Sequence, residues 1–114
     1  MERRKYDRGA VDYAISFSGD YFGAQGVTRD LSVAGCRARS ALRVSKGDQL
    51  WLLIKVPRYE ALLEVELAVV RWSADNEFGM EFLSIQREHE QRLHELIRAT
   101  KAIWSGPGHF PKTY

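Results

Sequence analysis

LEVELAVV, residues 63–70, is the stretch that most clearly predicts the fold. Its side chains alternate with the two-residue period of a strand that has one buried and one solvated face. The predicted inward residues are Leu63, Val65, Leu67 and Val69, and the predicted outward residues are Glu64, Glu66 and Ala68. Because such alternation is typical of antiparallel sheets, we expect a strand of this kind to run to about Trp72.

Five further strands are predicted from the segments on either side. They cover Ala10–Phe17, Ala24–Leu31, Cys36–Ser40, Gln49–Val56 and Phe78–Phe82. The segment Gln49–Val56 is almost continuously apolar, which indicates a strand buried on both faces or closed into a barrel. Short strands separated by Gly-, Ser- and Asp-containing turns favour a small antiparallel barrel over a parallel α/β fold.

After Phe82 the apolar period changes to three and four residues, which predicts a C-terminal helix. Ser84 is its expected N-cap, and Leu93, Leu96 and Ile97 form the stripe that should pack on the sheet. We therefore predict one domain: a basic arm at residues 1–8, a six-stranded antiparallel β-barrel at 9–83 and an α-helix at 84–104. The Gly- and Pro-rich residues 105–114 are expected to form a flexible tail.

Composition narrows the classes of function. The single cysteine, Cys36, excludes an internal disulfide and a cysteine-based zinc cluster, and no apolar run approaches the ~20 residues of a membrane span. His89 and His94 lie five apart with no third ligand, which is not a metal-site spacing. The single cysteine and the absence of a long apolar run predict a cytoplasmic protein. Phosphate-loop, dinucleotide-binding and nucleophile-elbow motifs are missing from the sequence, so we predict that it is not an enzyme.

The arm ERRKYDR, residues 2–8, concentrates positive charge ahead of the first strand. Three residues separate Arg4 from Arg8. Each of the two guanidinium groups is a planar fork suited to phosphate oxygens or to the O6/N7 edge of guanine. A solvated basic terminus is the alternative reading of such a charge run. The isolated Arg37, Arg39 and Arg71 are interpreted as residues that face water, with enrichment of the positive field around the site as the alternative.

DLSVAG, residues 30–35, interrupts the strand pattern with small and polar side chains. The two carboxylate oxygens of Asp30 match the N1–H and N2–H donors of guanine, and Ser32 follows two residues later on the same side of an extended chain. Gly35 permits close approach or a positive φ. The alternative is a turn or β-bulge in which Asp30 and Ser32 bond to nearby backbone, and both readings hold together if a bulge aims side chains into a site.

RKYDR at residues 4–8 followed by DLSVAG at residues 30–35 resembles the PilZ domain, whose paired motifs are RxxxR and D/NxSxxG. The resemblance extends over about residues 2 to 100, and includes a tryptophan at a strand end (Trp72), the GMEF stretch at residues 79–82 and a C-terminal helix. It implies a six-stranded barrel that binds cyclic di-GMP, the bacterial second messenger.

The resemblance also implies roles for individual residues. Arg4 and Arg8 would hold phosphates and guanine faces, Asp30 and Ser32 would read a guanine edge, and Gly35 would leave room for it. Arg3 would supply a further cation for a second ligand molecule, and Trp72 is an expected stacking residue whose alternative is rim packing. The predicted function is that of a sensor whose arm moves when ligand binds and which signals to a protein partner. One alternative is a PilZ-fold adaptor that binds no nucleotide. A second alternative, an oligonucleotide-binding barrel, is disfavoured by the outward-facing glutamates.

Overall fold

The computed structural model describes residues 8–20, 22–56 and 62–103. Its strands are β1 (Arg8–Ser18), β2 (Gly23–Ser32), β3 (Gly35–Arg39), β4 (Gln49–Lys55), β5 (Leu63–Ala74) and β6 (Glu77–Ser84), and they are followed by helix α1 (Arg87–Ile103). The strands close into a barrel in the order β1-β2-β3-β6-β5-β4, with every neighbouring pair antiparallel. The predicted six-stranded antiparallel barrel with one C-terminal helix is therefore confirmed.

One contiguous apolar core fills the barrel. Phe17 of β1 and Phe78 of β6 meet edge to face across it, with ring centroids 5.3 Å apart. In β4, Leu50, Leu52 and Ile54 point inward, whereas Trp51 is exposed. The continuous apolar run in β4 thus reflects closure into a barrel rather than burial on both faces.

Strand β5 changes its inward face partway along. Leu63 and Val65 are buried, as predicted, but the fully buried residues farther on are Ala68 and Val70 rather than Leu67 and Val69. The cause is a β-bulge, since Leu50 pairs with Ala68 while Leu52 pairs with Val65, so that β5 has one extra residue opposite Trp51. The predicted inward position of Leu67 was wrong for this reason, whereas Val69 is buried, with 7% of its surface exposed, although it pairs with Glu81 and lies outside the apolar core cluster.

Helix α1 packs on β1, β5 and β2. Its buried residues are Leu93, Leu96 and Ile97, the predicted stripe. Ser84 is the last residue of β6 and not the N-cap, because α1 begins at Arg87 and the Gln86 carbonyl accepts the Glu90 N–H at 2.8 Å. Within the described ranges, no helix is long and apolar enough to cross a membrane.

Candidate ligand-binding site

The turn between β2 and β3 contains the second motif and is organised by Ser32. The Ser32 hydroxyl oxygen accepts the N–H groups of Ala34 (3.1 Å) and Gly35 (3.2 Å), and the hydroxyl donates to the Gly35 carbonyl at 3.3 Å. Ser32 is fully buried, and the Ala34 carbonyl accepts the Phe82 N–H of β6 at 2.8 Å. Ser32 therefore closes the turn and helps to fix it to the barrel wall. Bonding to nearby backbone groups was one of the two roles that the sequence suggested for this side chain.

Gly35 begins β3 and pairs with Glu81 of β6, so its backbone is extended rather than left-handed. Gly35 therefore does not serve to adopt a positive φ. The role that remains for it is to allow another group to approach its backbone closely. Cys36, the next residue, is buried in the core.

A β-bulge at Arg29 decides which way Asp30 points. Thr28 pairs with Ala38 and Asp30 pairs with Arg37, so one residue of β2 is extra between them. Thr28 and Leu31 are both fully buried, which a strictly alternating strand does not allow for residues three apart. The bulge thus lets Thr28 and Leu31 face the core while Asp30, between Arg29 and Leu31, faces the outside of the barrel.

The two motifs meet through the pairing of β1 with β2. Arg8, which was predicted to belong to the basic arm, is the first residue of β1, and its Cα partner is Ser32. Two residues along each strand, Ala10 pairs with Asp30. The backbone of the second arginine of RxxxR therefore lies directly beside DLSVAG. Arg3 and Arg4 fall outside the described residues.

A row of paired residues runs from Asp30 around the barrel, and we call it the outer strip: Asp30, Arg37, Gly79 and Trp72. Asp30 of β2 pairs with Arg37 of β3, Arg37 with Gly79 of β6, and Gly79 with Trp72 of β5. With strands spaced by about 4.8 Å, the strip is about 14 Å long. The register thus places Trp72 on the same band of surface as Asp30.

Trp72 lies against the backbone of Gly79. A Cβ built on Gly79 would overlap the indole Nε1 and would come within 2.6 Å of Cε2 and 2.8 Å of Cδ1. The indole therefore occupies the space that a side chain at residue 79 would fill, while Trp72 keeps 38% of its surface exposed. One side of the Trp72 indole therefore packs on the barrel wall, and the remainder of the side chain is exposed.

The three isolated arginines on this side of the barrel are ion-paired. Arg71 contacts Glu81 at 2.7 Å, Arg39 contacts Glu77 at 3.5 Å, and Arg37 contacts Asp30 at 3.7 Å. They are partly exposed, as expected, but they are not merely solvated charges. Gly79 was not predicted to belong to the surface around Asp30, and Arg37 was considered only as a contributor to the field around the site, because the alternation in β3 indicates an outward Arg37 but does not identify its neighbours.

A concavity lies on another part of the barrel wall, formed by β1, β2 and β4. It has a volume of about 420 Å³, and its lining includes Ser16, Gln25, Trp51 and Leu53 but none of the outer strip. The Trp51 indole N–H donates to Glu64 at 2.6 Å. Among the described residues, no group of three or more His, Cys, Asp or Glu side chains is placed to hold a metal ion.

The fold matches several solved structures. Over 90% of this chain, the inhibitor of motility MotI/DgrA of Bacillus subtilis aligns with a TM-score of 0.74 at 20% identity. The PilZ domain of Escherichia coli YcgR, solved with c-di-GMP, aligns over 90% of this chain and 95% of its own with a TM-score of 0.72 at 15% identity. The PilZ domain of CeSA, from a cellulose-synthesizing bacterium, aligns over 81% of this chain and 95% of its own with a TM-score of 0.64 at 14% identity.

This chain spans 53% of the MotI/DgrA chain. No curated protein sequence matches it. The model of the PilZ domain family matches residues 2–99, which include both motifs and all six strands. Family model, barrel topology and paired motifs agree, and the chain belongs to the PilZ domain family.

Proposed function

We propose that this chain is a sensor domain that binds cyclic di-GMP on the outer wall of its barrel and relays the binding to a protein partner, without catalysing a reaction. The observation that carries the proposal is the register of β1 against β2, which sets Arg8 of RxxxR beside Ser32 of DLSVAG. A PilZ domain of the same fold, that of YcgR, was solved with c-di-GMP. We also propose a cytoplasmic location, where a second messenger of this kind would be met.

Each residue of the proposed site has a chemical role. Asp30 accepts the N1–H and N2–H groups of a guanine, and Arg4 and Arg8 donate to the phosphates or stack on the base. Ser32 acts mainly by holding the turn through its bonds to Ala34 and Gly35. Gly35 leaves space for the base beside Asp30.

Two further residues extend the proposed site. Trp72 offers the exposed part of its indole to a second base at the far end of the outer strip. Arg3 adds a cation that would favour binding of a pair of ligand molecules. The proposal therefore includes the number of cyclic di-GMP molecules, one or two, that bind to each chain.

Isothermal titration with cyclic di-GMP tests the proposed function. We expect a dissociation constant of ~1 μM or tighter, which corresponds to about −8 kcal/mol, and the same titration gives the stoichiometry. Arg4→Ala and Arg8→Ala should each weaken binding by about 1.5–3 kcal/mol through loss of a charged hydrogen-bonding partner. Absence of heat and of chemical-shift change at large ligand excess would contradict the sensor function and favour the adaptor that binds no nucleotide.

The output of the sensor is proposed to be a change in the arm that precedes β1. Arg3, Arg4 and Lys5 repel one another until ligand phosphates neutralise them, and Tyr6 is the only sizeable apolar side chain between Arg3 and Arg8. Binding would then order the arm against DLSVAG and create a new surface for the partner. Amide hydrogen exchange of residues 1–9, with and without cyclic di-GMP, tests this step, and equal protection in both states would contradict it.

A further inference from the structure

Arg37 lies beside the carboxylate that the proposed function assigns to guanine. The two residues are Cα partners on neighbouring strands, and Nη2 of Arg37 lies 3.7 Å from Oδ2 of Asp30. That separation exceeds hydrogen-bond length, so the pair is held by charge. The Arg37 side chain is 41% exposed and that of Asp30 only 11% exposed. The Arg37 guanidinium is therefore the more exposed member of the pair and adjoins the carboxylate at the barrel surface.

The edge of guanine that Asp30 would bind carries a third polar group. Beside N1–H is O6, a hydrogen-bond acceptor. A carboxylate facing N1–H and N2–H brings negative charge close to O6, which is unfavourable unless a donor lies next to the carboxylate. Arg37 offers guanidinium N–H donors at that place on the outer strip.

We propose that Arg37 is a specificity-determining residue that donates to guanine O6, so that Asp30 and Arg37 together read the whole Watson–Crick edge. This inference rests on the proposed function and extends it from ligand binding to base selection. Adenine carries an amino group in place of O6 and has no N1–H. It therefore meets donor against donor at Arg37 and acceptor against acceptor at Asp30, and both mismatches reject it.

The chain contains a matched control for the charge of Arg37. Arg39 lies two residues along the same strand and on the same face, about 6.6 Å away. It is 55% exposed and forms its own ion pair with Glu77 at 3.5 Å. Removing either arginine therefore changes the field around an anionic ligand in a similar way, but only Arg37 adjoins Asp30.

The experiment compares R37M, R37K and R39M with the parent protein by titration with cyclic di-GMP and with cyclic di-AMP. Methionine keeps an apolar stem and removes the donors, and lysine keeps a charged donor. We expect R37M to weaken cyclic di-GMP binding by about tenfold or more, as for loss of a charged hydrogen bond. R37K should recover part of that loss, and R39M should stay within about twofold of the parent. R37M should also narrow the preference for cyclic di-GMP over cyclic di-AMP.

Three results would overturn the inference: equal effects of R37M and R39M, tighter cyclic di-GMP binding by R37M, or no recovery with lysine. Thermal unfolding of each variant separates these effects from loss of fold. If the parent protein does not detectably bind cyclic di-AMP, the role of Arg37 can still be tested, because the comparison with R39M and the recovery with lysine use cyclic di-GMP alone. A parent that fails to bind cyclic di-GMP would contradict the proposed function itself, and is thus distinct from a failure of Arg37 alone.

Discussion

Replacing Gly79 with alanine places a methyl group where the structure has the indole of Trp72. The new Cβ would lie 2.6 Å from Cε2 and 2.8 Å from Cδ1, and it would overlap Nε1. Real Cβ contacts do not become this short, so either the two strands separate or the indole moves. Because Trp72 is already 38% exposed, we expect the indole to move outward and the barrel to stay closed.

The cost follows from the surface that Trp72 gives up. A tryptophan covers roughly 150–250 Å² when buried, and about three fifths of that is covered here, which leaves about 90–150 Å² to be lost. At about 25 cal/mol per Å² the loss is about 2–4 kcal/mol. The lower chain entropy of alanine in the unfolded state returns about 0.4–1 kcal/mol. We therefore expect Gly79→Ala to lower the free energy of unfolding by about 2 kcal/mol.

Urea denaturation measures this change, and fluorescence reports the indole directly. With Trp51 and Trp104 replaced by phenylalanine, Trp72 is the single emitter, and its emission should shift to the red in Gly79→Ala. Gly23→Ala is the matched control, because among the residues that the structure describes its Cβ would meet only the Ser18 Cβ, at 3.9 Å. In a Trp72→Ala background the same glycine substitution should cost little. Unchanged stability and emission in Gly79→Ala would refute the packing of Trp72 on Gly79.

Other substitutions test the remaining parts of the site. Ser32→Ala removes the acceptor of two backbone N–H groups and should lower the free energy of unfolding by about 1–3 kcal/mol in urea; a change below about 0.5 kcal/mol would mean that the turn does not depend on the hydroxyl. Trp72→Leu should weaken cyclic di-GMP binding by about 1–3 kcal/mol per stacked base in titration calorimetry, whereas Trp51→Leu, on another part of the barrel wall, should leave it unchanged. Asp30→Ala should reduce affinity about tenfold or more, and equal loss from Glu77→Ala, the carboxylate paired with Arg39, would show that only the local field matters.

The sequence predicted the number, order and approximate bounds of the strands, because a barrel wall exposes one face and alternation is a local property. It also indicated both site motifs, since arginine forks and the Asp-x-Ser-x-x-Gly pattern have local chemical signatures. Prediction from the sequence failed where a β-bulge interrupts the two-residue alternation of a strand. Leu67 was predicted to face inward, but an extra residue opposite Trp51 reverses the alternation of β5 from that point on. No residue type marks that position in the sequence.

The same kind of irregularity decided the site in the tertiary structure. Without the bulge at Arg29, the alternation that buries Thr28 would also turn Asp30 inward; with it, Asp30 faces out and Leu31 fills the core. Residues far apart along the chain, Asp30, Arg37, Gly79 and Trp72, become one strip only through the registers of β2, β3, β6 and β5. The sequence by itself determined the strands and the chemistry of the motifs, because both depend on near neighbours. Only the closed barrel determined which side chains share a surface, because register is set by packing between distant segments.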